Sequence, residues 1–340
     1  MERAQTIIEE LPKVELHLHL LGAIRPLTLL DFTRAAGIDT GFNTEKEMER
    51  FFTYRNFQHF IEVYTTIIDA ITDERQFERL AFEVLEDSAA QNIRYAELSF
   101  SSRDHVERAL DFADMIDAIN RGITKARKQY AIEANIRIDL VRNEGPEKGM
   151  ETLDSIQDNP ENIVSVDLGG SEDKFPPAPF MEVFKRAKEM GLHLVAHAGE
   201  AAGPESIWDA IHYLNVERIG HAATAIKDAR LMSYLKENSI AIEACPVSNV
   251  RTGVVSSINH HPVREFYDRG LMVTVNSDDP TLFNTDLNNE LIQLNHHLNF
   301  SLEQIYQLTQ NALNAAFLPE ETKNSLHKEF EEKCETLIPS

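Results

Sequence analysis

Val14-Glu-Leu-His-Leu-His19 is the stretch on which the fold turns: a short apolar strand ending in two histidines. In an extended chain successive side chains point to opposite faces, so His17 and His19 share one. Outward from it, one pattern recurs: a short apolar run, polar residues at its C-terminal end, then a helical periodicity. The further runs are Ile93–Phe100, Ala134–Val141, Ile163–Gly170, His193–His197, Arg218–His221, Ile240–Cys245 and Met272–Ser277. Between them, Phe57, Phe60, Ile61, Tyr64, Ile67 and Ile68 follow the i, i+3, i+4 spacing of one helix face. Phe77, Leu80, Ala81, Val84 and Leu85 do the same, as do Phe180, Val183, Phe184, Ala187 and Met190, which stop at Gly191. Strands alternating with helices predict a parallel sheet. A count of eight predicts its closure into one (β/α)8 TIM barrel spanning residues 1–340. An open doubly wound sheet is the alternative, weakened in its dinucleotide-binding form because no G-x-G-x-x-G follows the first strand.

The formal net charge of −23 repels phosphate backbones and anionic membranes, so neither nucleic acid nor membrane is an expected partner. No apolar run approaches the ~18 residues of a membrane span. The N-terminus lacks the basic-then-apolar order of a signal peptide, and the two cysteines, Cys245 and Cys334, suggest no disulfide framework. A cytoplasmic location is therefore expected. Ala35–Phe57 reads as an insertion after the first strand and helix. Its Phe51, Phe52, Tyr54 and Phe57 either cap the site or form core beneath a loop.

Functional groups of such a barrel sit at the C-terminal ends of its strands. Here those ends carry His17 and His19, then His197-Ala-Gly-Glu200, then His221, then Ser277-Asp-Asp-Pro280. Singly, each has a plain structural explanation: a hydrogen-bonded histidine, or a turn at Asp-Asp-Pro. Together they gather four histidines, one glutamate and two aspartates at one end of one barrel. Burying so many titratable groups without a cation is costly. Imidazole with carboxylate suits zinc, and a position left open for water would make the site catalytic.

The strings Leu11-Pro-Lys-Val-Glu-Leu-His-Leu-His19, His197-Ala-Gly-Glu200, Arg218-Ile-Gly-His221 and Val275-Asn-Ser-Asp-Asp-Pro280 resemble the adenosine/adenine deaminase family of the amidohydrolase superfamily. The resemblance runs through nearly the whole chain in order. It implies hydrolytic replacement of a purine 6-amino group by oxygen, with release of ammonia and one zinc per chain. It implies His17, His19, His197 and Asp278 as zinc ligands, with Asp278 also catalytic. Glu200 would protonate purine N1, and His221 would position the attacking water and help deprotonate it. Asp279 would bond N7, and the backbone N–H of Gly170 would bond N3. The other class of zinc deaminase uses H-x-E with P-C-x-x-C, and no second cysteine follows Cys245-Pro246. A two-metal relative needs a bridging lysine at the end of strand four, and Asp167–Gly170 contains none. A barrel that kept its metal but lost catalysis is disfavoured by the presence of both Glu200 and His221. A hydrolase of non-purine amides or esters is the remaining rival.

One position departs from the family. Its adenosine-specific members carry aspartate after H-x-H-x, where it binds the ribose 5′-hydroxyl, and its adenine-specific members carry glutamate. This chain has Leu21, followed by Gly22. A hydroxyl placed against leucine would go unpaired at about 1–3 kcal/mol, whereas an apolar 5′ group would gain from burial. Further strings, Phe51–Tyr64, Gln91–Glu97, His197–Pro204 and Asn284–Glu290, are similar to 6-aminodeoxyfutalosine deaminases of the futalosine route to menaquinone. That substrate bears a carboxyphenyl ketone on its 5′ side. Arg103 and Arg142, just past strands two and three, are the candidates to meet its carboxylate. Methylthioadenosine and S-adenosylhomocysteine are other 5′-modified candidates, and plain adenosine is the alternative.

Overall fold

The computed structural model describes residues 2–338, the side chains of Glu2 and Phe57 excepted. Eight parallel strands succeed one another around the sheet in chain order. They are β1 (Lys13–His19), β2 (Ile93–Phe100), β3 (Glu133–Val141), β4 (Ile163–Gly169), β5 (His193–Ala198), β6 (Arg218–His221), β7 (Ala241–Ala244) and β8 (Val273–Val275). Helices lie between them, so the expected (β/α)8 barrel is the observed one. The strands are buried almost end to end, as a parallel sheet covered by helices requires.

β7 and β8 are shorter than the sequence predicts, for local reasons. Cys245 leaves the ladder to begin the helix Pro246–Arg251, with proline at its first turn. After Val275, side chains take over from the ladder: Asn276 Oδ1 accepts the Leu16 N–H at 2.8 Å, and Glu15 Oε1 accepts the Ser277 N–H at 2.8 Å. The seam between β8 and β1 closes at a single bridge, Leu18 with Asp278, in which the His19 N–H reaches Asp278 O at 2.8 Å and the Asp278 N–H reaches His17 O at 3.1 Å.

The insertion contains a helix of its own, Glu45–Phe52, begun by a capping box in which the Thr44 hydroxyl and the Glu47 carboxylate serve each other's backbone N–H groups. Its Phe51 and Phe52 are buried. The next helix, Phe57–Ala70, runs directly on. It stacks Phe60 on Tyr64 and on Phe283, with Tyr54 tilted against the same Phe283 ring. Phe283 closes the short helix Pro280–Phe283 that follows Asp279, so these aromatics sit beside the C-terminal mouth of the barrel.

Candidate active site and metal centre

β1 delivers His17 and His19, β5 delivers His197, and the turn after β8 delivers Asp278. The ligand atoms of these four residues all lie within 4.8 Å of one another. Each imidazole turns its Nδ1 towards a carboxylate from another strand. His17 Nδ1 is 2.8 Å from Glu243 Oε2, His19 Nδ1 is 3.3 Å from Asp139 Oδ2, and His197 Nδ1 is 2.9 Å from Asp167 Oδ2. A carboxylate facing Nδ1 holds the proton there and leaves the Nε2 lone pair free. The Nε2 atoms of His17 and His19 then converge on Asp278 Oδ1, at 3.4 and 3.3 Å. His17 Nε2 is buried with no hydrogen-bond partner among the described residues. Burial alone would make His17 and His19 harder to protonate, yet the carboxylates outweigh it. His17 is raised to about 9 and His19 well above its usual range. The cluster therefore draws in positive charge. Three oriented imidazoles with one carboxylate are a donor set that fits zinc. An overlapping set, His17, His221, Cys245 and Asp278, meets the same distance criterion. There the thiol would have to ionise, and burial pushes Cys245 well above its usual range, which favours the first set.

The orienting carboxylates are themselves held by two arginines inside the barrel. Arg137 Nη1 lies 2.7 Å from Glu243 Oε2, and its Nε lies 3.0 Å from Asp167 Oδ2. Arg218 Nε lies 2.7 Å from Glu243 Oε1, and its Nη2 pairs with Glu97. The network of Glu97, Arg218, Glu243, Arg137 and Asp167 is fully enclosed and backs the histidines from below.

On the reacting side, His221 Nε2 stands 3.6 Å from Glu200 Oε2 and 3.9 Å from Asp278 Oδ2. Enclosure, helped by Asp278 and Glu172, raises Glu200 to about 8, so its carboxyl is protonated at neutral pH. Glu172 fixes the turn that carries Glu200: its carboxylate accepts the backbone N–H groups of Gly199, Glu200, Ala201 and Ala202. Asp279 is buried and raised to about 7, by enclosure and by its neighbour Asp278. Its Oδ1 has no hydrogen-bond partner among the described residues. It packs where a side chain on Gly22 would stand, since a Cβ there would lie 1.9 Å from Asp279 Oδ1. Gly170 adopts φ +94° at the exposed end of β4, where a Cβ would meet Asn143 Oδ1 at 2.6 Å. His221 (φ 62°), Ala222 (φ 50°) and Asp278 (φ 67°) also take left-handed backbone, a strain that clusters at this site.

The 5′-side residues divide. Leu21 is buried in the turn between His19 and Gly22. Arg103 keeps a buried Nε without a hydrogen-bond partner among the described residues. Its guanidinium faces Glu151 at 3.0 Å, with Glu107 and Glu144 at 3.7 and 3.8 Å. Arg142 corrects the expectation placed on it. It is fully buried, and its guanidinium donates to the backbone carbonyls of Gly169, Phe175, Leu168 and His197. Those bonds tie the ends of β4 and β5 together and take up four of its five N–H groups, in a side chain with no exposed surface.

Reading the strands for apolar runs passed over Asp139, Asp167, Glu243, Arg137 and Arg218. Their signal was nonetheless present, as charged residues in the interior of strands otherwise destined for the core. Ser248, Asn249 and Glu172 lie in loops or a short helix and carried no such signal. Ser248 Oγ donates to Asp278 Oδ2 at 2.6 Å, and Asn249 Nδ2 lies 3.0 Å from His221 Nδ1.

Comparison with known proteins agrees with this geometry. The adenosine deaminase family model matches residues 12–333. An aminodeoxyfutalosine deaminase of Streptomyces avermitilis is 37% identical over 317 residues, covering 92% of this chain and 88% of that one. An adenine deaminase of Vibrio parahaemolyticus is 33% identical over 325 residues, covering 96% of each. Among solved structures, an amidohydrolase from Burkhoderia ambifaria with bound zinc superposes with a TM-score of 0.91 at 25% identity, covering 100% of this chain and 96% of that one. A barrel with a His/Asp cluster at its mouth, matched from end to end by hydrolytic deaminases of adenine-type compounds, leaves one assignment: the chain belongs to the adenosine deaminase family, within the amidohydrolase superfamily.

Proposed function

We propose that the chain is a zinc-dependent deaminase of 5′-modified adenosines, with 6-aminodeoxyfutalosine as the preferred substrate. The observation that carries the substrate reading is Leu21, an apolar side chain where a 5′-hydroxyl would need an acceptor. The aromatic group of Tyr54, Phe60, Tyr64 and Phe283 beside the mouth supports it, because an aromatic 5′ substituent gains there from burial and ring contact. So does Tyr54 of the insertion, whose ring lies against Phe283 and from there would cap such a substituent. Arg103 is the cation for the substrate carboxylate: two of its partners, Glu107 and Glu151, are half-exposed and free to swing away.

Purine N1, N3 and N7 are all acceptors, so each needs a donor. The protonated carboxyls of Glu200 and Asp279 serve N1 and N7, and the Gly170 N–H serves N3. His17, His19, His197 and Asp278 hold the zinc, which when bound lowers the pKa of water and stabilises developing negative charge. As the water oxygen bonds to C6, Glu200 passes its proton to N1. One proton of the water goes to a group flanking it, Asp278 or His221, and from there to the departing amine. The C6–N bond breaks, ammonia leaves, and the remaining hydroxyl proton returns to Glu200. N1 keeps its proton and C6 becomes a carbonyl.

The deciding measurement compares kcat/KM for adenosine, 5′-deoxyadenosine, methylthioadenosine and aminodeoxyfutalosine by ammonia release. Aminodeoxyfutalosine is expected to lead and adenosine to trail. Adenosine in first place sinks the reading of Leu21. Leu21→Asp should move preference towards adenosine, and Arg103→Gln should raise KM for the carboxylate-bearing substrate while leaving methylthioadenosine unaffected.

A further inference from the structure

We propose that His261 and Asn249 are positioning residues that hold His221 as an Nε2–H hydrogen-bond donor, so that His221 orients the attacking water instead of deprotonating it. The part concerning water rests on the deaminase reading above; the hydrogen-bond relay does not.

The relay starts at a backbone amide. The Val263 N–H donates to His261 Nδ1 at 3.1 Å, so that nitrogen carries no proton. A neutral imidazole then bears its proton on Nε2, which lies 3.1 Å from Asn249 Oδ1. That bond fixes which way the Asn249 amide faces, since turning it over would set its NH2 against the His261 N–H. The Asn249 Nδ2 group is left to donate to His221 Nδ1 at 3.0 Å. His221 Nδ1 is therefore an acceptor, and the neutral ring keeps its proton on Nε2. His221 cannot take up a second proton without placing Nδ1–H against the Asn249 amide hydrogens. All three side chains are buried, so water does not substitute for any of these partners.

Nε2–H of His221 points into the space shared with Glu200 Oε2 and Asp278 Oδ2, 3.6 and 3.9 Å away. Neither distance is a direct hydrogen bond, and a water oxygen set to one side of these lines, rather than on them, is at hydrogen-bond reach of the groups. In that place a donor can hold the water oxygen but cannot remove its hydrogen. The carboxylate across the gap can. The water O–H bond breaks towards Asp278 as in the reaction proposed above, the oxygen lone pair bonds to C6, and the displaced C6–N1 π pair takes the Glu200 proton at N1. The helix Pro246–Arg251 governs both partners: Ser248 Oγ donates to Asp278 Oδ2 at 2.6 Å, and Asn249 sets the tautomer of His221.

Nitrogen-15 NMR of histidine-labelled, zinc-loaded protein reads the tautomer directly, with His221→Gln assigning the signal. The expected spectrum shows a bonded proton on Nε2 of His221 and a bare Nδ1. Asn249→Asp replaces the donor with an acceptor at nearly constant shape. It should move the proton to Nδ1 and lower kcat roughly 100-fold, with KM changed less than about threefold, as expected for a wrong tautomer. A proton on Nδ1 in the unaltered protein overturns the proposal, even where the variant does not fold. So does an Asn249→Asp protein with unchanged tautomer and kcat. Failure to deaminate any 6-aminopurine nucleoside would instead strike the functional reading and leave the NMR result standing.

Discussion

Glu200 shows how much one side chain's surroundings decide. Its acid form is the one the proposed reaction requires at N1, and enclosure beside Asp278 and Glu172 raises it to about 8. The protonated, active form is therefore present below that pH and lost above it. kcat/KM should hold through neutrality and fall about tenfold per pH unit on the alkaline side. Glu200→Gln removes the transferable proton and should cost roughly 10²–10⁴-fold in kcat with substrate binding largely kept. A variant as active as the parent would dismiss Glu200 as the acid. Gly22 is the other telling residue. Its missing side chain is the space Asp279 occupies, so Gly22→Ala should impair KM and kcat together by displacing the proposed N7 partner, and should also lower Tm through overpacking. At this scale the sequence was readable where a residue type announces its chemistry, as His17, His19, His197, Glu200, His221 and the Asp278–Asp279 pair do. It was misleading at Arg142, because a cation past a strand end serves backbone carbonyls as readily as ligands, and only burial tells which.

At the scale of elements, the eight strands were legible because each is a short apolar run bounded by polar turns. The ends judged too long were those of β7, where Cys245 leaves to start the helix Pro246–Arg251, and of β8, where side chains of Asn276 and Glu15 replace ladder bonds and no periodicity betrays the exchange. The insertion was visible as aromatic density, yet its helix Glu45–Phe52 went unread. The Thr44–Glu47 capping box that starts it is a local signal, and Thr44→Ala should weaken that segment by about 1 kcal/mol. Hydrogen exchange at Glu47 and Met48 would show it. The helices Gln76–Ala90 and Phe112–Tyr130 approach each other at Gly122, where a Cβ would stand 2.6 Å from Glu78 O. Gly122→Ala should destabilise the barrel by about 1–3 kcal/mol through forced separation of the pair, despite alanine's better helix propensity. A Tm equal to or above the parent's would contradict that packing.

For the molecule as a whole, the enclosed network of Glu97, Arg218, Glu243, Arg137 and Asp167 couples the floor of the barrel to the metal ligands. Arg137→Met leaves Glu243 and Asp167 short of a cation, and removing one partner of a buried pair costs about 3–5 kcal/mol. Denaturant unfolding would measure the loss, and zinc content should fall with it because the carboxylates that orient His17 and His197 lose their anchor. A cation at the mouth stabilises the fold by linkage, so chelation should lower Tm and stoichiometric zinc should restore it. Among the described residues no helix is long and apolar enough to cross a membrane.

The seam between β8 and β1 has a mechanical consequence. Elsewhere neighbouring strands are laced together by several ladder bonds, but here, among the described residues, backbone meets backbone at one bridge, at Asp278, with the side chains of Asn276 and Glu15 fastening the rest of the seam. The left-handed backbone of Asp278 both crosses the seam and aims the carboxylate inward. Opening the hoop and dismantling the catalyst are then the same event. The amides of His19 and Asp278 should be the first in the barrel to exchange when the ion is withdrawn, and a protein whose hoop has sprung should be one that has already stopped working.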